Sequence, residues 1–461
     1  MLTYQFNSEE PLYEQLYKYI RDDIMNGILL PGEKLPSKRT LAKQLNISTI
    51  TIESSYAQLL SEGFIESKPR VGYFVNELNI PRSSDHLDAS DLTLEETKPD
   101  YRFDFSSSQS PSAIFPFSTW AKITRSLLTH QQEALMQNSP ANGTLALRQA
   151  IAKHLYDFSD LKVSPYQIVI GAGTEYLYGL LIQLLGFDKT YGVEWPGYQK
   201  IRQISRSYHV NVKEIAMDES GIMPNLLRTH NVDIIHITPS HQYPTGITMP
   251  IKRRYELLQW ALEDSNHYVV EDDYDSEFSM AHRPVASLFS IDQHDKVIYM
   301  NTFNKKLAST IRISYMVLPE PLAHQFNTQM HFYACTVSTF EQYTLAQFIQ
   351  EGYFEKHINR LRTYYRRQRD DLITALHNSP LNDIATISKE NTGLHLLIHL
   401  DLPVADEIFL DALKQQGIHL SGFVNYGLPD THTFIINYAS IDQDLLKDAL
   451  KAIYEVYCSL K

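Results

Sequence analysis

From about residue 101 to residue 461, short β-prone apolar runs alternate with stretches of helical periodicity. Such alternation is typical of α/β proteins, in which helices cover the faces of a mainly parallel sheet. The pattern extends over 361 of the 461 residues and therefore restricts the fold more than any other feature of the chain. The sequence predicts one large α/β domain over residues 101–461.

The segment before it, residues 10–78, has the pattern of a small helical domain that ends in a hairpin. Apolar residues recur every four positions and predict an amphipathic helix over residues 11–26. Ser37 and Ser48 are favourable N-cap residues and predict the starts of a second and a third helix. Two β-prone runs then enclose a basic turn, at residues 64–66, 73–75 and 68–72. The pattern predicts a winged helix-turn-helix, and a three-helix cap with incidental lysines is the alternative.

Charge is unevenly distributed along the chain. The net charge of −13 argues against nucleic acid binding when taken alone, because phosphate contacts usually leave a basic excess on the domain. However, four basic residues and no acidic one lie between residues 34 and 52, whereas residues 79–100 hold six acidic residues against two basic ones. We therefore predict a local basic face in the N-terminal segment and a flexible acidic linker over residues 79–100.

Membrane-spanning and secreted classes of protein are not indicated. No apolar run approaches the ~18 residues that a membrane-spanning helix needs. The N-terminus lacks the basic stretch and apolar core of a signal peptide. Cys335 and Cys458 are too few for a disulfide framework or a cysteine-rich zinc site. The sequence predicts a cytoplasmic protein without a membrane partner.

Two adjacent lysines are the strongest chemical signal in the C-terminal part. Lys305 and Lys306 follow a β-prone run that begins at Val297, and Arg312 lies seven residues beyond Lys305. A lysine at the end of a buried strand is costly unless it reacts or is paired. For this segment in isolation, a lysine in a surface turn is the simpler interpretation.

Three further segments place polar groups at the ends of predicted strands. Residues 168–174 run from a strand into a Gly-rich turn before a helix, which offers backbone N–H groups to a phosphate. Residues 233–246 form a strand that ends in a Pro-Thr-Gly turn, and residues 268–278 a strand that leads into an acidic cluster. A metal site is the alternative interpretation of that cluster, but no histidine spacing supports it, so no metal is predicted.

Residues 10–78 closely resemble the winged helix of GntR-type transcriptional repressors. The matching motifs are residues 11–16, 27–42 and 62–72. The resemblance implies that the third helix enters the major groove of a double-stranded DNA operator and that the wing touches the minor groove. The residues implied in DNA binding are Lys34, Ser37, Arg39, Ser48, Thr49, Thr51, Lys68 and Arg70.

Within that set, Ser37, Arg39 and the backbone at Ser48 would hold phosphates, and the two threonines would face base edges. The family usually carries arginine at the position of Thr49. Its guanine contact is therefore missing, and we expect the operator to differ at that base.

Residues 101–461 resemble the fold-type I aminotransferases, which use pyridoxal 5′-phosphate (PLP). The resemblance rests on the lysine, the acidic cluster, the phosphate turn and the Pro-Thr-Gly turn in their order and spacing. Joined to a GntR-type winged helix, they make the chain similar to MocR-type regulators. The fold class implied is α/β: a winged helix-turn-helix followed by an α/β/α domain with a smaller C-terminal α+β subdomain. PLP is the implied cofactor.

Site residues are implied position by position. Lys305 matches the lysine that forms a Schiff base with PLP, in a motif read here as Asn301-Thr-Phe-Asn-Lys305, whereas Lys306 falls one place late. Asp272 matches the carboxylate that pairs with the pyridinium nitrogen. The remaining cofactor ligands implied are Gly173, Thr174, Thr302 and Arg312 around the phosphate, Tyr274 at the ring hydroxyl and Tyr198 against the ring. For each tyrosine singly, packing in the core is the alternative.

Two departures from the aminotransferase pattern bear on activity. Tyr243 stands where related enzymes have an asparagine that contacts the ring hydroxyl, and residues 401–461 contain no arginine to bind a substrate carboxylate. Without that arginine, substrate orientation is lost, so full transamination is doubtful. The sequence favours a regulator that senses an amino compound through PLP, or PLP itself, over an active aminotransferase with a DNA-binding head. The resemblance also implies a homodimer.

Overall fold

The computed structural model describes residues 4–8, 10–78, 101–107, 111–278, 285–390, 393–439 and 441–461. The predicted linker, residues 79–100, lies outside this set. The chain divides into two compact units, Met1–Lys98 and Pro99–Lys461. Among the described residues, no helix has the length and apolar character needed to cross a membrane.

Within its described residues, the first unit contains three helices and a three-stranded antiparallel sheet. The helices are α1 (Leu12–Met25), α2 (Lys38–Leu45) and α3 (Thr49–Ser61), and the strands are β1 (Lys34–Leu35), β2 (Ile65–Lys68) and β3 (Gly72–Val75). The sheet order is β1-β3-β2. Leu16 and Ile20 of α1 pack with Ile52 and Tyr56 of α3 in one buried cluster. The predicted winged helix-turn-helix is confirmed, and β1, two residues long, is an element that the sequence pattern did not predict.

The second unit is built around a sheet of eight strands within the described residues. After the short strand β4 (Phe103–Asp104), these are β5 (Ile168–Gly171), β6 (Thr190–Trp195), β7 (Asn211–Asp218), β8 (Gly221–Ile222), β9 (Ile234–Ile237), β10 (Tyr268–Asp272), β11 (Val297–Thr302) and β12 (Ser314–Val317). Their order is β5-β12-β11-β10-β9-β6-β7-β8. Strands β6, β7, β9, β10 and β11 pair in parallel, whereas β12 runs antiparallel to both of its neighbours.

Helices cover both faces of this sheet, and alternate residues of one strand enter different clusters. Tyr299 of β11 packs into one cluster, and Ile298 and Met300 pack into another on the opposite face. The helices of the large domain are α4 (Phe117–His130), α5 (Gln132–Leu135), α6 (Leu145–Ser159), α7 (Thr174–Leu185), α8 (Gln199–Ser207), α9 (Pro224–Thr229), α10 (Ile251–Ala261), α11 (Leu288–Ile291), α12 (Glu320–Gln329) and α13 (Thr339–Gln350). A sheet buried on both faces explains the continuous apolar runs, and the α/β/α prediction is confirmed.

A smaller α+β subdomain completes the chain. The long helix α14 (Tyr353–His377) precedes it, followed by β13 (Ala385–Ser388), β14 (His395–Leu400), α15 (Asp406–Gln415), β15 (Ile418–His419), β16 (Ser421–Gly422), β17 (Thr433–Asn437) and α16 (Gln443–Ser459). Strands β13-β14-β17-β16 form an antiparallel sheet, and β15 pairs with β4. This subdomain contributes His395 and Asn437 to a cavity that the large domain also lines.

Candidate functional site

The first candidate surface is the helix-turn-helix of the N-terminal unit. Asn46 ends α2 in the left-handed conformation, with φ of 54°, and so turns the chain toward α3. Ser37 Oγ accepts from Thr40 N at 3.2 Å, and Ser48 Oγ accepts from Thr51 N at 3.0 Å. Both serines therefore cap helices. Since each cap occupies one N–H group of its helix, the remaining N–H groups of the first turn are the ones available to a phosphate.

The start of α3 carries one residue that sequence reasoning missed. Thr49 is exposed there, whereas the Thr51 hydroxyl lies 2.8 Å from Ser48 Oγ and belongs to the cap. Between them Ile50 is 74% exposed. If α3 enters the major groove, as the resemblance implies, an exposed isoleucine at its start can contact a thymine methyl group. Its signal in the sequence was its position outside the apolar stripe of α3.

The basic residues of this unit differ in their contacts. Lys38 pairs with Glu53 at 2.6 Å, and Lys68 pairs with Glu66 at 2.9 Å while lying over the Phe74 ring. Lys34 approaches the same ring. Arg39 of α2 and Arg70 at the wing tip are exposed. Their guanidinium groups are therefore placed to reach phosphates outside the protein.

The second candidate site is a cavity of about 510 Å³ in the second unit, between the large domain and the C-terminal subdomain. It lies beyond the carboxyl ends of β9, β10 and β11, where ligands of open α/β sheets bind. Seven of the implied cofactor residues line it: Thr174, Tyr198, Asp272, Tyr274, Thr302, Lys305 and Arg312. Its volume is within the range of small-molecule sites.

One end of this cavity is suited to a phosphate group. Gly173 precedes α7 with φ of 97°, and an added Cβ there would lie 2.5 Å from Arg312 Nη2. Thr302 Oγ1 accepts from Ser314 Oγ and Asn304 N, which leaves its own hydrogen to donate. A helix N-terminus, a hydroxyl and a guanidinium converge at this end.

Glu175 joins the two cations of the phosphate end and was not predicted. Arg312 Nη2 donates to both of its carboxylate oxygens at 2.8 Å, and Lys200 Nζ donates to Oε1. Partial burial alone would raise the pKa of Glu175, but Lys200, the backbone of the helix start and Arg312 lower it to about 2. Glu175 is therefore ionised at neutral pH and orients both cations.

The two adjacent lysines have different surroundings. Lys305 lines the cavity, and burial lowers the pKa of its amine to about 8. Lys306 is 2% exposed, and its Nζ donates to Glu277 Oε1 at 2.5 Å and to Asn301 Oδ1. A lowered pKa increases the fraction of Lys305 amine that is unprotonated and can act as a nucleophile. The structure therefore brings Lys305 to the cavity and Lys306 into a buried ion pair.

The acidic cluster after β10 divides between the cavity and the interior. Asp272 lines the cavity, with His236 Nε2 3.4 Å from its Oδ2. The Tyr274 hydroxyl donates to the His241 carbonyl oxygen at 3.1 Å, so in this arrangement its hydrogen is already engaged. Asp275 is buried and accepts from His241 Nδ1 at 2.8 Å.

Among the described residues, no group of three or more histidine, cysteine or acidic side chains could hold a metal ion.

The other end of the cavity is formed by Tyr243, Leu394, His395, Asn425, Tyr426 and Asn437. The Tyr426 hydroxyl donates to the Tyr243 hydroxyl at 2.8 Å, and the His395 ring lies edge-on to the Tyr243 ring. Sequence reasoning identified Tyr243 as a departure but missed His395 and Tyr426. His395 lies 151 residues after Pro244, and Tyr426 lies 183 residues after Tyr243. Only the fold therefore brings these residues together.

Acid stability should depend on His395. Burial lowers the pKa of this imidazole from 6.5 to about 4, so between these values the unfolded chain binds a proton that the folded chain does not. The free energy of unfolding therefore falls as pH drops through this window. We expect His395→Gln to make this fall shallower by up to about 1.4 kcal/mol per pH unit.

Urea unfolding at several pH values between 4 and 6.5 measures this slope. The exposed His294 provides a matched control, and His294→Gln should keep the wild-type slope. An unchanged slope in His395→Gln would contradict the assignment.

The chain matches two family profiles. Residues 12–75 match the family described as bacterial regulatory proteins, gntR family, and residues 103–453 match aminotransferase class I and II. These boundaries correspond to the N-terminal unit and to the unit that holds the cavity.

Relatives similar over nearly the whole chain are regulators. The uncharacterized HTH-type transcriptional regulator YdeL of Bacillus subtilis is 36% identical over 96% of this chain and 96% of its own length. The probable rhizopine catabolism regulatory protein MocR of Rhizobium meliloti is 29% identical, over 100% and 97%. The pyridoxine biosynthesis transcriptional regulator PdxR of Corynebacterium glutamicum is 29% identical, over 98% of each.

Among solved structures, a kynurenine aminotransferase of Pyrococcus horikoshii is similar with a TM-score of 0.67. It is 23% identical, and the match covers 78% of this chain and 92% of that one. This likeness shows the fold of the second unit.

Proposed function

The chain belongs to the MocR-type branch of the GntR family, and from this membership we propose that it is a transcriptional regulator that binds DNA and PLP. In this proposal the aminotransferase-like domain senses an amino compound, or PLP itself, and the winged helix binds the operator. The observation that carries the proposal is the convergence of Lys305, Asp272 and Arg312 on one cavity, in a chain that begins with a helix-turn-helix. Because the relatives that span nearly the whole chain are regulators, this function is favoured over that of an active aminotransferase.

The residues around the cavity fit PLP. At one end, the space above Gly173 is closed by Arg312 so tightly that a Cβ would clash, as expected of a cradle in which the backbone approaches a phosphate. Asp272 supplies a carboxylate for the pyridinium nitrogen, and Lys305 supplies the amine. Tyr198 lines the same cavity and would stack its ring on the cofactor.

PLP supplies an aldehyde carbon that condenses reversibly with a primary amine, with loss of water. Lys305 would hold the cofactor through its amine, and the amine of an effector would compete with it. His236 orients Asp272, and Glu175 orients Arg312 and Lys200 at the phosphate end. If the Lys305 amine were released, the turn after β11 that carries it would be free to change its packing, which would supply a signal.

The DNA contacts are proposed for α3 and the wing. Thr49 and Ile50 would face base edges, while the first turns of α2 and α3, Arg39 and Arg70 would hold phosphates. Lys34, Lys68 and Thr51 remain in the proposed surface. Of these, Lys68 contributes less charge because Glu66 partly neutralises it.

Arg39→Ala tests the DNA-binding surface. We expect a similar loss of affinity for specific and non-specific duplexes. The slope of log binding constant against log salt concentration should become shallower by about one, because one fewer counterion is released. The operator is a duplex selected from a random-sequence library with the full-length protein. Fluorescence anisotropy over a series of salt concentrations measures the affinity and its salt dependence, both with and without PLP.

Arg125, an exposed arginine of α4, provides the matched control, and Arg125→Ala should bind as wild type. Retained operator binding by a chain lacking residues 1–78 would contradict the DNA-binding assignment. Operator affinity that is the same with and without PLP, in the presence and absence of amino compounds, would contradict the sensing role.

We also propose a homodimer formed by the large domains. Large apolar side chains are exposed outside the N-terminal unit, including Phe117, Met136 and Phe332. Contiguous exposed apolar patches are typical of association surfaces, and these side chains are candidates for such a patch. Two winged helices on a two-fold symmetric body would bind two half-sites. Analytical ultracentrifugation at micromolar concentration with PLP should show a single species of about twice 53.2 kDa, and a monomer would contradict the proposal.

A further inference from the structure

The two ends of the cavity differ in charge. At the phosphate end, Arg312 and Lys200 both bind the carboxylate of Glu175. At the opposite end, the lining residues described for the cavity are Tyr243, Leu394, His395, Asn425, Tyr426 and Asn437. We call this set the uncharged end. Lys305 lies in the lining of the same cavity, so a ligand whose amine reaches the cofactor also enters the space that this set lines.

The polar groups of the uncharged end are arranged by neutral hydrogen bonds. Tyr426 donates to the Tyr243 hydroxyl at 2.8 Å, and Asn437 Nδ2 donates to the Ser106 carbonyl oxygen at 2.9 Å. Gln199 Nε2 donates to the Asn425 carbonyl oxygen at 2.6 Å. The bonds of Tyr426 and Asn437 orient their side chains, and every group in this arrangement is uncharged. What they leave is suited to a hydroxyl, an amide or an aromatic ring.

His395 does not supply a positive charge at this end. Its Nε2 lies 3.2 Å from the Pro244 carbonyl oxygen, which can only accept, so Nε2 carries the hydrogen. Burial lowers the pKa of His395 to about 4, and the imidazole is therefore neutral at pH 7. A neutral imidazole that donates through Nε2 has a lone pair on Nδ1, and a lone pair repels a carboxylate.

A buried carboxylate adds negative potential behind the uncharged end. Asp275 is 1% exposed, and its charge acts on both Lys305 and His395. One oxygen accepts from His241 Nδ1, and the other, Oδ2, has no hydrogen-bond partner among the described residues. Gly393, the residue before Leu394, packs against that second oxygen, where an added Cβ would lie 2.4 Å away. This field attracts an amine and opposes an anion.

We propose that the effector is a primary amine without a carboxylate, whose remaining part is uncharged and binds among Tyr243, Tyr426 and Asn437. The inference rests on the proposed function and specifies its ligand class. It distinguishes decarboxylated amines and amino alcohols from amino acids. A carboxylate held at this end without a cation would lose its hydration without compensation.

Matched pairs of compounds test this on the full-length, PLP-loaded protein. Ethanolamine is compared with L-serine, and phenethylamine with L-phenylalanine, by titration of the visible absorbance of the bound cofactor. Operator affinity is measured on the same samples by fluorescence anisotropy. We expect the absorbance to change at a concentration at least about 10-fold lower for at least one amine than for its amino acid, a difference of about 1.4 kcal/mol.

Asn437→Arg tests the position of the uncharged end. A guanidinium there should bind carboxylates and reduce the preference for amines by about 10-fold or more, whereas Asn437→Gln adds no charge and should not turn the preference toward the amino acids. Asn437 is buried in β17, where an arginine is difficult to accommodate. If the arginine variant does not fold, the comparison of the matched pairs on the wild-type chain still tests the proposed ligand class.

Each outcome bears on one proposal. A preference for the amino acids, or a response to them that Lys200→Met abolishes, would overturn the inference, because a cation would then hold the carboxylate. No response to any of the four compounds would also overturn it, while PLP-dependent operator binding would still support the proposed function. Absence of a cofactor band before any compound is added would instead contradict the proposed function.

Discussion

Replacement of Lys305 by alanine is expected to abolish the visible absorbance of bound PLP and to allow the cofactor to be removed by dialysis. Lys305 lies in the lining of the cavity, and burial lowers the pKa of its amine to about 8. A poorly solvated, readily deprotonated amine is the chemical requirement for condensation with an aldehyde. Absorbance spectra before and after dialysis, with the operator affinity of each sample, measure the effect.

The adjacent lysine is the control for this experiment. Lys306→Met should retain the visible band in the fraction of the protein that is folded, because Lys306 points into the interior toward Glu277 and Asn301. Circular dichroism gives that fraction. A band that persists in Lys305→Ala and disappears in Lys306→Met would show that the cofactor lysine is one residue later.

Lys306→Met is itself expected to destabilise the protein by about 3–5 kcal/mol. The ammonium of Lys306 and the carboxylate of Glu277 are both almost fully buried, 2.5 Å apart. Burial alone would raise the pKa of Glu277, but Lys306 and His154 keep it below its ordinary value, so the carboxylate is ionised. Removal of the lysine would leave that charge buried without its main partner. The free energy of unfolding in urea, at pH 7, measures the loss.

A second substitution separates charge from packing. In Lys306→Met/Glu277→Gln, no unpaired carboxylate remains, so most of the lost stability should return. Glu277→Gln alone completes the double-mutant cycle. A single variant Lys306→Met that is less than about 1 kcal/mol below wild type would show that the ion pair contributes little.

Much of the chain was predictable because the determinants are local. The spacing of apolar residues and the caps at Ser37 and Ser48 define the helices of the first unit within a few residues. The Gly-rich turn after β5 and the lysine after β11 could be recognised because each motif lies in one short segment. Their locations around one cavity agree with the resemblance to aminotransferases.

The tertiary structure decided what depends on residues far apart in the chain. Lys306 could not be distinguished from a reactive or an exposed lysine until the fold placed it beside Glu277, 29 residues earlier. The antiparallel direction of β12 and the pairing of β1 with β3 depend on hydrogen bonds to distant strands, which local periodicity does not encode. The Thr51 hydroxyl, predicted to face a base edge, lies 2.8 Å from Ser48 Oγ, a contact that the N-cap prediction for Ser48 did not include.

By itself, the sequence determined the two-part organisation and the helix-turn-helix, since periodicity, caps and short motifs act within a few turns of chain. The resemblance to aminotransferases predicted Lys305 as the lysine that binds PLP. Only the tertiary structure decided that Lys306 belongs to a buried ion pair and that Tyr243, His395 and Asn437 form one uncharged end of the cavity. The physical reason is that burial and electrostatic environment are properties of groups brought together from distant segments, and they are settled when the sheet and the C-terminal subdomain pack.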